Sequence, residues 1–367
     1  MRSSWLLPAL FLAGCTLPNT GSLAPLPDGT TVSPISLAQL PGWSAGDQAE
    51  ALATFVRSCQ TLNRMPADQA LGGAGFLAEQ AGQAGLWQNA CNAAQDVTPG
   101  DEAAAQTFFQ TNFAAYRVNG TALITGYFEP EYPGSENLAR GDTVPLYAEP
   151  AVPALANLTR AEIDHGALYR KAPVTAYLQS PVDAFMLEIQ GAGILRLPDG
   201  KILRVGFAGQ NGQPYTPIGR ILVQNGDLAA NDVSFQSISA WLKAHPDQAQ
   251  AIMEQNARYV FLKPLGGLAA DEGAPGALGV PLTAGRSLAV DRAVIPLGMP
   301  VYITTTDPLT HAPLDRLTIA QDTGGGIHGL AAADLYFGSG PDAEATAGRM
   351  QQAGDLYLLL PRQAPTT

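Results

Sequence analysis

Histidine and cysteine are scarce in this chain of 367 residues: four and three. His165, His245, His311 and His328 are scattered, and no Cys or His spacing suits zinc, so no metal centre is expected. Charge is also sparse. Only 14% of residues are charged against 46% hydrophobic, which excludes a disordered chain and leaves ample material for a packed core. The net charge is −12. Such a chain does not hold nucleic acid through general phosphate attraction, and it suits a polyanionic substrate only where a local basic patch exists. No Walker-type phosphate loop is present, and Gly191-Ala192-Gly193 alone does not make a dinucleotide site. Gly338-Ser339-Gly340 lacks the nucleophile-elbow pattern and a placed histidine, so Ser-His-Asp and Cys-His chemistry are excluded. No cofactor is expected.

Turn formers, by contrast, are plentiful. Gly 39 and Pro 29 indicate many short strands rather than a helical bundle. The length makes two domains the default expectation. At the N-terminus Met1-Arg2 supplies positive charge, Trp5 to Leu12 a short apolar core, and Leu12-Ala13-Gly14-Cys15 small residues before a cleavage point. This is a secretory signal over 1–14 and resembles a bacterial lipobox, in which Cys15 is acylated and becomes the first residue. The apolar run is too short for a permanent membrane-spanning helix. Thr16, rather than Asp, follows the cysteine, and the resemblance to bacterial lipoproteins then implies the outer membrane, facing the periplasm. Residues 15–45, rich in Pro, Gly, Ser and Thr, are expected to be a flexible tether. The two remaining cysteines, Cys59 and Cys91, favour a disulfide in an oxidising compartment.

Helical periodicity starts at Leu52, Phe55, Val56 and Cys59, and a second helix is expected over Asp101 to Tyr116 after Thr98-Pro99-Gly100. From about residue 121 the pattern turns to strands: 122–128, 183–190, and a hairpin of 194–197 with 202–205 around Pro198-Asp199-Gly200-Lys201. Asn211-Gly212 is a second turn signal. Helices return over 234–245 and 246–256. Short strands follow at 259–262, 287–290, 301–304, 317–320 and 356–360, with a helix over 343–352.

Four clusters can carry chemistry. Asp322-Thr323-Gly324-Gly325-Gly326-Ile327-His328-Gly329 and Asp334-Leu335-Tyr336-Phe337-Gly338 put two acids around a glycine-rich loop after an apolar strand. Such a loop aims a carboxylate into a cleft and lets a ligand approach the backbone. Tyr127-Phe128-Glu129-Pro130-Glu131 adds aromatics and acids at a strand end. Gln190-Gly191-Ala192-Gly193 and the uncharged run Gly206 to Tyr215, with Gln210, Asn211 and Tyr215, add amides. Amides and aromatics without charge suit neutral polyhydroxylated ligands, so carboxylate acid/base chemistry on a glycan is the natural reading.

These blocks, together with Pro217-Ile218-Gly219-Arg220, Asn256-Ala257-Arg258-Tyr259-Val260-Phe261 and Pro281 through Asp291, resemble the membrane-bound lytic murein transglycosylase A family in order from about 120 to 360. The resemblance implies cleavage of the β-1,4 bond between N-acetylmuramic acid and N-acetylglucosamine without water, forming a 1,6-anhydro ring. It implies that Asp334 acts as acid and then base, with Asp322 supporting it. Substrate contacts are then expected from Tyr127, Glu129, Gln190, Gly191, Gly193, Gln210, Asn211, Tyr215, Gly324, Gly325 and Tyr336. The implied fold is mainly β with α: a double-psi β-barrel (46–128 and 259–367) with an inserted β-rich domain (129–258) and a groove between them, acting as a monomer on peptidoglycan. Gly326 and His328 stand where the family pattern has a small apolar residue and often Lys. Two alternatives compete: a non-catalytic cell-wall-binding lipoprotein, and an aspartic protease suggested by Asp322-Thr323-Gly324, though a second such triplet is missing.

Overall fold

The computed structural model describes residue 26, residues 29–138, residue 141 and residues 143–363. Cys15, its lipid and the signal segment lie outside the described residues. Among the described residues fourteen strands run in chain order: β1 (Val32–Ile35), β2 (Phe113–Val118), β3 (Ala122–Glu129), β4 (Glu131–Ser135), β5 (Val144–Tyr147), β6 (Val174–Leu178) and β7 (Ala192–Arg196). Then follow β8 (Ile202–Gln210), β9 (Val260–Leu265), β10 (Ser287–Val290), β11 (Pro300–Thr306), β12 (Pro313–Thr323), β13 (Ala332–Ser339) and β14 (Gln351–Pro361).

The first sheet closes on itself. Its order β14-β11-β12-β10-β13-β3 returns to β14, making a six-stranded barrel, with β2 and β1 added along the far half of β14. Two pairs in the ring, β3 with β13 and β10 with β12, are parallel, as the double-psi arrangement requires, and the rest are antiparallel. Closure leaves no open edge within the ring. The interior is apolar: Ile124, Leu288, Val301, Ile303, Ala320, Leu335 and Leu358 share the inner face and are all buried. The second sheet, β5-β6-β4-β7-β8-β9, is the insert, and β3 runs from the barrel into it through Pro130.

Outside the barrel, helix Gln48–Leu62 packs through Phe55 onto Trp87, Phe108, Phe109 and Phe113, with ring centroids 5.6–6.5 Å apart. Cys59 and Cys91 form a disulfide tying this helix to helix Gln88–Gln95. A cross-link over a separation of 32 residues removes unfolded-chain entropy worth roughly 3–4 kcal/mol.

Five expectations need correction. Residues 183–190 are not a strand but part of helix Pro181–Gln190. Ser180 caps it by accepting from the Asp183 N–H, Pro181 opens it, and Gly191 closes it at φ 80°, where a side chain would be strained. An apolar run buried on most sides carries no period that separates strand from helix. Second, the helix expected to reach Tyr116 ends at Asn112, because Phe113 to Val118 pair between β1 and β14. Third, β9 pairs with β8, so residues 260–265 belong to the insert's sheet and not to the barrel. Fourth, the tether does not extend to 45: β1 pairs with β2, and Trp43 is buried against Tyr302 at 5.6 Å. The last helix also stops at Ala347, since β14 starts at Gln351.

Candidate active site

A cleft of about 930 Å³ opens between barrel and insert, and both proposed acids line it. Asp334 sits on β13 between β10 and β3, opposite Ala289 and Thr125. Its neighbours Ala333 and Leu335 point into the barrel core, so strand alternation turns Asp334 outward, half-buried in the cleft wall. Its Oδ1 is buried without a hydrogen-bond partner. Burial, helped by the nearby Asp322 charge and opposed by a hydrogen bond with the Thr125 side chain, pushes the Asp334 carboxyl up to about 7. Such a group is protonated in a large fraction of molecules at neutral pH and can work as acid or base.

Asp322 ends β12 and is treated differently. Its Oδ1 accepts from the N–H groups of Ala277 and Thr323, both at 2.9 Å, and its Oδ2 accepts from the Tyr127 hydroxyl at 3.0 Å. Burial keeps its pKa above the ordinary value, although these three donors lower it part of the way. Three donors aimed at its oxygens favour the charged form of Asp322. Tyr127→Phe removes one of the three donors. Turnover is expected to drop roughly tenfold, from loss of a hydrogen bond to a charged group, with the acid limb of the pH–rate profile moving to higher pH. An unchanged profile would mean that this contact does not set the state of Asp322.

Most of the other nominated residues reach the cleft: Tyr127, Glu129, Gln190, Gly191, Gln210, Tyr215, Gly324, Gly325 and Tyr336. Tyr127 and Tyr336 stand 5.2 Å apart at a tilt, an aromatic corner beside the acids. Gln190 accepts from the Phe128 N–H at 3.1 Å through Oε1, which fixes its amide at the cleft. Gln210 likewise accepts from the Gly212 N–H. Three nominations are corrected. Asn211 is fully buried and spent on the backbone: its amide donates to Leu158 and Ala257, and its oxygen accepts from Tyr259 and Gln213. Gly193 is a packing position, where a Cβ would meet Leu187 Cδ1 at 2.8 Å and the Pro130 carbonyl at 3.0 Å. Neither residue lines the cleft.

Glu129 is the third. Its carboxylate is buried and already satisfied by Arg204 at 2.9 Å, the Tyr336 hydroxyl at 2.7 Å and the Ala274 N–H at 2.6 Å. These partners come from the insert, the barrel and the segment joining them, so Glu129 fixes how the two sheets meet and is not free to hold a sugar. Glu129→Ala strands Arg204 and Tyr336 and is expected to cost about 3–5 kcal/mol in urea unfolding. A loss under about 1 kcal/mol would show the knot to be dispensable.

Several cleft residues had no signal in the sequence. Thr125, Phe207, Arg220, Arg258 and Lys263 all line it. Arg258 and Arg220 stood inside the matching blocks without a role, and Phe207 and Lys263 face one another's strands only through the β8–β9 pairing. Gly325 has a clear steric duty: a Cβ there would run into the Arg258 guanidinium, which reaches across from the insert. Among the described residues no group of His, Cys, Asp and Glu could hold a metal ion.

The chain matches the MltA specific insert domain over residues 123–263 and the 3D domain over 286–360. It is 34% identical over 257 residues to membrane-bound lytic murein transglycosylase A of Escherichia coli K12, covering 65% of this chain and 66% of that one. It is 32% identical to the same enzyme of Vibrio cholerae, with 67% of each chain covered. The aligned region thus spans about two thirds of these curated relatives. The crystal structure of a membrane-bound lytic murein transglycosylase from Agrobacterium tumefaciens superposes with a TM-score of 0.80 at 29% identity, covering 90% of this chain and 98% of that one. E. coli MltA with bound chitohexaose superposes at 0.68 with 28% identity, covering 87% and 91%. With both domain models matched in order and these relatives in agreement, the chain belongs to the membrane-bound lytic murein transglycosylase A family.

Proposed function

We propose that this chain is a lytic transglycosylase that cuts the β-1,4 bond between N-acetylmuramic acid and N-acetylglucosamine in peptidoglycan, with Asp334 as the single acid and base. Protonated Asp334 gives its proton to the glycosidic oxygen, and the bond from that oxygen to the muramic C1 breaks. The C6 hydroxyl of the same muramic residue attacks C1, and its proton passes to the Asp334 carboxylate. The enzyme returns to its starting state and no water is consumed. Ionised Asp322 favours the positive charge that develops at C1, and it keeps the Asp334 proton in place until transfer. The internal hydroxyl replaces a second carboxylate, which a hydrolase needs to activate water.

One observation carries the reading: a single carboxyl with an unpartnered oxygen, raised to about 7, in a sugar-sized cleft beside an acid, Asp322, that is held by three donors. That E. coli MltA binds chitohexaose supports a glycan in this groove. Incubation with purified sacculi, followed by mass analysis, is expected to give 1,6-anhydromuropeptides. Intact sacculi after binding would favour the non-catalytic lipoprotein, and reducing muropeptides would indicate a hydrolase. The protease alternative falls with the family assignment.

The relatives are membrane-bound by name, and no helix among the described residues is long and apolar enough to cross a membrane. Acylation of Cys15, anchorage in the outer membrane facing the periplasm, and action as a monomer are part of the same proposal, supported by the lipobox pattern.

A further inference from the structure

The chain carries a net charge of −12, yet the cleft wall supplied by the insert is basic. Arg220, Arg258 and Lys263 all line it. Apart from Asp334, the acid itself, the other charged residues of the cleft are engaged. Arg160 donates to Glu188 at 2.6 Å, Glu129 is bound to Arg204 at 2.9 Å, and Asp322 takes its three donors. Among the described residues, none of Arg220, Arg258 and Lys263 belongs to an ion pair.

Their settings favour an outside ligand. Lys263 lies on β9 opposite Gly206, which has no side chain to cover it, and is exposed. Arg220 is exposed in the first turn of helix Ile218–Asn225, at the rim. Arg258 is half-buried, and its Nε donates to the Gln213 carbonyl at 3.0 Å, which orients the guanidinium toward Gly325 while its outer N–H groups make no hydrogen bond within the described residues. An oriented guanidinium with free N–H groups matches a carboxylate. Unpaired cations in a concave, partly desolvated wall focus a field that draws anions despite the acidic exterior.

A neutral aminosugar polymer offers such a wall acceptors but no charge to pair with; amides and aromatic faces would suffice for it. Peptidoglycan differs from it in carrying carboxylates on the muramic residues: the lactyl carboxylate itself where the glycan is bare, and those of the peptide stem where the lactyl group is amidated. We propose that Arg220, Arg258 and Lys263 form a carboxylate-recognition face that makes the cleft select muramic-acid glycans over uncharged N-acetylglucosamine polymers. The proposal deepens the function above and rests on it for the identity of the glycan.

The test is by affinity, in the full-length chain carrying Asp334→Asn so that no turnover intervenes. The probes are chitohexaose, peptide-free glycan strands and peptide-bearing glycan strands. The double variant Arg220→Gln/Lys263→Gln, at two exposed positions, is expected to lose about tenfold or more in affinity for at least one carboxylate-bearing strand and to bind chitohexaose within about twofold of the parent. Arg258→Gln is expected to do the same, with partial rescue by Arg258→Lys. The preference of the parent for anionic strands is expected to shrink as salt is raised. Loss on bare strands assigns the face to the lactyl carboxylate, and loss confined to peptide-bearing strands assigns it to the stem; both support the proposal. Equal losses on chitohexaose, or no loss on either anionic strand, overturn it. Should the wild type yield no 1,6-anhydro product, the reaction is misread, but the affinity comparison still decides the role of the cations.

Discussion

Asp334→Asn is expected to lower the rate of peptidoglycan cleavage by at least about 10³-fold while leaving glycan affinity nearly unchanged, because general acid and general base catalysis each contribute about 10²–10⁴-fold and one side chain supplies both. Asparagine has the shape of the protonated acid and the same lack of charge. It can hold the glycosidic oxygen but can neither release a proton to it nor collect one from the C6 hydroxyl. The loss therefore falls on kcat rather than KM. Asp322→Ala is expected to be milder, since its part is electrostatic support and not proton transfer. Near-full turnover in Asp334→Asn would remove the acid from the mechanism. Equal and complete loss in both variants would leave no basis for assigning the proton to one of them.

The second large effect is on pH, and its sign is fixed by the direction of the shift. An unfolded aspartate titrates near ~4, and Asp334 in the folded protein at about 7. Between these values the folded state binds the extra proton, so the stability gained from it is complete below the lower pKa and is lost as pH rises through the upper one. Asp334→Asn is thus expected to be more stable than the wild type at pH 8, by about 1–3 kcal/mol once the partial solvent access of the site is discounted, and the two are expected to converge below about pH 4. Activity follows the same group. The free enzyme needs Asp334 protonated, so kcat/KM is expected to fall tenfold per pH unit above about 7, and protonation of Asp322 supplies the acid limb. Urea unfolding at three pH values and a pH–rate profile check both. A less stable Asp334→Asn at pH 8 would mean that the ionised carboxylate is stabilising and its pKa is not raised.

How much of this was legible in the chain depends on the range of the interaction. Asp322 and Asp334 were readable because short-range signals mark them, an apolar strand ending in acid and glycines. Their different states were not readable. Of the three donors that favour the charged form of Asp322, two come from Ala277 and from Tyr127, the latter 195 residues away. Glu129 looked like a ligand-binding acid because its partners Arg204 and Tyr336 are separated from it by 75 and 207 residues. Asn211 looked like a sugar-binding amide for the same reason. Its bonds reach Leu158 and Ala257. The barrel strands 287–290 and 317–320 were evident from composition and turn residues, whereas helix Pro181–Gln190 was misread because its buried run hides its period. The basic cleft wall is not legible because it is small against a net charge of −12 and is assembled from two segments about 40 residues apart.

Above all, the proposed reaction requires one carboxyl that stays protonated up to neutral pH while facing the glycan cleft. Carbon-13 NMR titration of aspartate carboxyls, in the wild type and in Asp334→Asn, measures it directly. A carboxyl resonance that titrates near pH 7 in the wild type and is missing from the variant is the predicted result; a position 334 resonance that completes its titration below about pH 5, in the ordinary aspartate range, would contradict it.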